Sequence, residues 1–205
     1  GSGNDTVDAG TGTDTVDFSI DRGTWAGTIT DAETVTATYT GSATIDATGL
    51  TGYATLNVTA SGSTASTTLK NIGDATINLT DDSVEGGGDG DIEAMTIDTT
   101  DDAAITVNLG ANQEATTAVA GTLSSLTITD AATVTLKASG GSFGNLLASD
   151  MATVTLDDEE TTALTIESSD YTSLEAIVAG SESLSTLAVD ASGIESDVEV
   201  DSLAD

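Results

Sequence analysis

Residues 1–18 read GSGNDTVDA followed by GTGTDTVDF, two consecutive copies of one nonapeptide. Both follow the pattern Gly-x-Gly-x-Asp-x-Val-Asp-x. The first copy places Gly1, Gly3, Asp5 and Val7, and the second places Gly10, Gly12, Asp14 and Val16. Glycine permits the positive-φ turn that points carbonyls inward at a cation. Aspartate supplies a charged oxygen, and hard oxygen ligands suit calcium. The residues around each valine make a very short strand with one side chain buried. Two nonapeptides therefore form one coil of a flattened parallel β-roll. A cation would sit between bends stacked on the same edge. One coil supplies half of each such site, so complete sites need a coil ahead of Gly1.

Beyond Phe18 the same logic continues with a longer coil. Apolar and polar residues alternate with period two, which is the strand signal. Examples are Thr34-Val35-Thr36-Ala37, Ala54-Thr55-Leu56-Asn57-Val58 and Ala75-Thr76-Ile77-Asn78-Leu79. Val35, Leu56 and Ile77 stand 21 residues apart, as do Ile105 and Leu126. Val134, Val154 and Leu174 stand 20 apart. Apolar partners such as Ile45 and Leu164 fall about halfway between. These spacings predict an all-β parallel solenoid with two strands in each coil of about 20 residues. A β-sandwich also gives strands at such intervals, but it needs hairpin turns, and Asn-Gly or Asp-Gly pairs are nearly absent. Residues 1–18 are read as a nonapeptide coil and 19–205 as a Thr-rich solenoid continuing the same rod. Residues 81–93, 111–124 and 140–150 interrupt the rhythm and are expected to be enlarged loops on single coils.

Composition narrows the chemistry. The 205 residues carry 3 Lys+Arg against 35 Asp+Glu, for a net charge of −32, with no His, Cys or Pro. Without His or Cys there is no zinc site of the common ligand types, no Ser-His-Asp or Cys-His catalysis and no disulfide. Three basic residues cannot neutralise a phosphate backbone, so nucleic acid is not an expected partner. Hydrophobic residues make up 38% of the chain, too many for the disorder signature. Aromatic residues are 3%, so the core must be built from small aliphatics. The 39 threonines fall mainly at outward strand positions, where β-branched residues suit a pleated surface and can hydrogen-bond in ladders along it. No run of apolar residues is long enough to span a membrane, and no leader is visible.

Asp5 and Asp14 are the principal candidate metal ligands, with Gly1, Gly3, Gly10 and Gly12 shaping their turns. Asp89 and Asp91, in Gly86-Gly87-Gly88-Asp89-Gly90-Asp91, form a second candidate whose register fails at Ile92. Asp81-Asp82, Asp101-Asp102 and Asp157-Asp158-Glu159-Glu160 fall at turns and read first as solvated faces. Paired carboxylates also serve glycoside hydrolases, but aromatic and basic residues that would hold a sugar are scattered, so no enzyme is expected. Trp25, beside Arg22, is expected to cap an end of the core or pack under a loop.

The tandem GSGNDTVDA/GTGTDTVDF, followed by Thr-rich coils, resembles the RTX-type surface-layer proteins of Gram-negative bacteria. The motif match covers residues 1–18, and the remainder resembles that family in composition and periodicity. The resemblance implies type I secretion, folding on meeting extracellular calcium and self-assembly into a lattice on the cell surface. It makes Ca2+ the expected ligand and further copies of the chain the expected partner, with outer-membrane lipopolysaccharide as a second candidate. The stalk of a large RTX adhesin and the secretion module of an RTX enzyme or toxin are the alternatives. Strict nonapeptides do not continue past Phe18, so calcium at one end and calcium throughout both remain open.

Overall fold

A computed structural model describes residues 4–61, 66–81, 94–109, 125–138, 153–156, 161–168, 176–179 and 184–190. The chain lays down β1 (Thr6–Asp8), β2 (Thr15–Ile20) and β3 (Gly23–Trp25), then β4 (Thr28–Thr30), β5 (Thr34–Tyr39) and β6 (Ala43–Asp46). A 3-10 turn, Ala47–Gly49, leads into β7 (Leu50–Thr51), β8 (Thr55–Ala60) and β9 (Thr67–Ile72). Next come β10 (Ala75–Asp81) and two long strands, β11 (Ala94–Leu109) and β12 (Ser125–Ala138). Among the described residues the last are β13 (Thr153–Leu156), β14 (Ala163–Ser168), β15 (Ala176–Ala179) and β16 (Thr186–Asp190). Neighbouring strands pair in parallel throughout. The protein is a parallel β-solenoid, as the alternation predicts.

Register shows how the coils stack. One face runs β2, β5, β8, β10, the second half of β11, the second half of β12, β14 and β16. Its inward column is Val16, Val35, Leu56, Ile77, Val107 and Leu136, and the backbone register carries on through positions 166 and 189. A second face runs β3, β6, β9, the first half of β11, the first half of β12, β13 and β15, with Trp25, Ile45, Leu69, Ile97, Ile128 and Leu156 in one column. The two faces join through β11 and β12, which bend round a corner at left-handed Asp102 and Asp130. Asp and Asn tolerate that backbone region better than most residues. Val35, Leu56, Leu69, Ile77, Ile97 and Ile128 are fully buried between the faces, each contributing roughly 1.5–3 kcal/mol.

Two expectations are corrected. The early coils hold three strands, because β1, β4 and β7 form a separate third face that two-strand counting missed. The repeat is also not uniform. Coil-to-coil hydrogen bonds span 19 residues at Asp14–Glu33 and 21 at Thr36–Asn57–Asn78. They span 30 at Asn78–Asn108 and at Ala131–Thr161, and 23 at Thr162–Ser185. The extra residues fall within 82–93, 110–124 and 139–152, close to the segments read as interruptions, and these lie outside the described residues. Ile105 therefore stacks on Val134, while Leu126 stacks on Met95 and Val154 across the other face. The 21-residue interval from Ile105 to Leu126 and the 20-residue interval from Val134 to Val154 connect different faces. Leu174 lies outside the described residues.

The outward positions carry polar ladders. Thr15, Thr34, Thr55, Thr76, Thr106, Thr135 and Thr165 stack in register on the first face. Beside them Asn57 Nδ2 donates to Thr36 Oγ1 (3.3 Å), Asn78 Nδ2 to Asn57 Oδ1 (2.8 Å) and Asn108 Nδ2 to Asn78 Oδ1 (2.7 Å). That column continues into Lys137 and Glu167, joined by a 2.9 Å ion pair. In the first described coil Trp25 is buried and stacked on Phe18, with ring centroids 4.1 Å apart. Among the described residues no helix is long and apolar enough to cross a membrane.

Candidate metal centre

The two nonapeptides occupy the first coil. β1 carries Val7 on the third face and β2 carries Val16 on the first, so the turn of residues 9–14 links two faces. Gly10 and Gly12 take positive φ, 87° and 149°, as the motif requires. Asp8 Oδ1 accepts from Gly10 N at 3.1 Å and pins the start of the turn. The same corner recurs in later coils. Ala9 N donates to Thr30 O (3.0 Å), Asp31 N donates to Thr51 O (3.1 Å), and Asp31 and Gly52 both adopt the left-handed conformation.

Asp14 ends this turn. Its carbonyl accepts from Thr34 N at 3.2 Å, and its own N–H donates to Glu33 Oε2 at 2.7 Å. Its Oδ2 atom is buried and has no hydrogen-bond partner. A Cβ on Gly12 would stand 3.5 Å from that same oxygen, so the carboxylate is folded back against the glycine turn. The N–H of Asp14 holds the Glu33 carboxyl below its ordinary value. This corner therefore brings an unsatisfied carboxylate oxygen and a second, ionised carboxylate onto adjacent coils. Those are hard oxygen donors of the kind calcium takes, with carbonyls and water completing the shell. The residues fit the ion.

Asp5 sits at the preceding corner, exposed, before β1. Its carbonyl accepts from Thr28 N at 2.8 Å, and Asn4 Oδ1 accepts from Ala26 N at 3.3 Å. The residue beneath it on the next coil is Gly27, which offers no side-chain ligand. Asp5 and Asp14 thus flank β1 at successive corners and are not brought together. Gly1, Gly3, Asp89 and Asp91 lie outside the described residues, as do 157–160. Asp101 and Asp102 are exposed at the β11 corner. Among the described residues, no three acidic side chains converge on one point.

Glu33 was missed from the sequence because it belongs to no nonapeptide. The signal was present: it stands one coil, 19 residues, after Asp14. Comparison with known proteins finds no matching family model, no matching curated protein and no matching solved structure.

Proposed function

We propose that this chain is a structural segment of an extracellular surface layer or filament, with calcium bound at its bends and without catalytic activity. The observation that carries the reading is the Asp14 corner, a glycine-built turn with a buried, partnerless carboxylate oxygen inside a parallel solenoid. A buried charged oxygen without a donor is costly, and a cation removes that cost. The charge of −32 supports the same reading. Self-repulsion keeps such a chain expanded where calcium is scarce, and binding outside the cell favours the folded form by mass action. Calcium also allows acidic copies to approach one another. Strand edges at the ends of a solenoid offer backbone groups for further stacking.

Electron microscopy of purified protein with and without millimolar calcium tests the assembly. Sheets or filaments that appear with calcium and dissolve with chelator are expected. Monomeric rods at every calcium concentration would overturn the assembly reading and favour an adhesin stalk.

A further inference from the structure

We infer that Glu33 is the second carboxylate of the Asp14 calcium site, so that one ion ties the nonapeptide coil to the coil that follows it. The inference rests on the calcium reading above and adds a ligand that no nonapeptide contains. Register places Thr15 against Thr34, and therefore Asp14 against Glu33. The Glu33 side chain is partly exposed. It reaches back along the solenoid axis until Oε2 meets the Asp14 N–H at 2.7 Å, beside the turn that buries Asp14 Oδ2. Glu33 Oε2 is already held by that N–H, whereas the buried Asp14 Oδ2 has no donor, and a cation beside both would satisfy the oxygen left over. Two of the three basic side chains are engaged elsewhere: Lys137 pairs with Glu167, and Lys70 lies beside Asp46.

The same column shows where the tie ends. After Asp14 and Glu33 come Ala54 and Ala75, linked by Ala54 N to Glu33 O (2.9 Å) and Thr76 N to Ala54 O (2.9 Å). The carboxylates stop after one junction. From there the coils are held by the threonine and asparagine ladders and the aliphatic core. In this column of the described coils, calcium would tie the nonapeptide coil to the one after it and go no further.

Calcium titration calorimetry on the whole chain decides the matter, using wild type, Glu33→Gln, Asp14→Asn and, as a control of equal charge change, Glu167→Gln. Glutamine keeps an oxygen to accept from Asp14 N, and far-UV circular dichroism without calcium checks that each variant is folded. Glu33→Gln and Asp14→Asn should each weaken the tightest site at least about tenfold, because affinity follows the number of charged ligands. Glu167→Gln should leave it within about twofold, since that exposed acid lies far along the solenoid. Calcium should also slow amide exchange at Asp14 and Thr34 more than in β14. Wild-type binding retained in full by Glu33→Gln would overturn the assignment of Glu33 alone. No binding by wild type would overturn the calcium reading with it.

Discussion

Single residues set where this chain bends. Gly49 and Gly27 lie on adjacent coils so closely that a Cβ on Gly49 would collide with the Gly27 carbonyl. Gly49→Ala should therefore destabilise the fold by about 1–3 kcal/mol through forced backbone movement. Gly73 has open space around its missing Cβ, so Gly73→Ala should change stability by less than about 0.5 kcal/mol. Chemical denaturation of both variants measures the difference. Asp46 gives a pH prediction. Its carboxylate accepts from Thr48 Oγ1 (2.6 Å), Thr48 N (3.0 Å) and Asn71 Nδ2 (2.9 Å), and these bonds, Thr48 Oγ1 foremost, hold its pKa below the ordinary 3.8. A lowered folded pKa means stabilisation that is present above the unfolded value and lost as pH falls through the folded one. Stability of the wild type should fall below about pH 4, and Asp46→Ala should lose less over that range. A pH series of melting temperatures in both proteins checks this; parallel acid limbs would contradict it. Of the residue-scale features, the positive-φ glycines were legible in the nonapeptides. Asp31, Asn71, Asp102 and Asp130 were not, because left-handed Asp and Asn carry no motif.

Strands are held to their neighbours by outward ladders as much as by the core. Asn78 is the centre of the amide column, accepting from Asn108 and donating to Asn57 in the half-buried surface of the first face. Asn78→Ala leaves a donor on one neighbour and an acceptor on the other without their partner, and should cost about 1–3 kcal/mol. Replacing Thr38, outward on the same face and outside the amide column, by Ala should cost less; thermal melts of the two variants rank them. At this scale the sequence was readable where coils are short. Val35, Leu56 and Ile77 stack as their spacing implied. It misled where long segments enter the coil. The longer strands of both faces share one alternation of aliphatic and polar residues, mostly threonine, so spacing alone cannot tell the same face one coil later from the next face of the same coil. Ile105 with Leu126 is that confusion. The third face escaped notice because β4 and β7 are three and two residues long, too short to show a period.

The whole molecule is a strongly acidic rod whose described coils stack by parallel pairing from β2 to β16. Its solenoid class followed from alternation, the missing hairpin turns and the two nonapeptides. Asp14 was legible as a candidate ligand in its nonapeptide; Glu33 beside it was not, because stacking, and not sequence adjacency, brings Glu33 to Asp14. Self-repulsion at −32 should make the rod sensitive to ionic strength through screening alone, so any calcium experiment needs an equal ionic strength of magnesium beside it. Magnesium holds its water and demands a tighter octahedral shell, which separates ligation from screening. The most direct measurement is thermal unfolding of the intact chain followed by circular dichroism in millimolar calcium, in magnesium of equal ionic strength, and in chelator. A bend closed by calcium predicts a higher melting temperature in calcium than in either other condition, with the gain lost in Asp14→Asn. Superimposable curves in calcium and magnesium would contradict it.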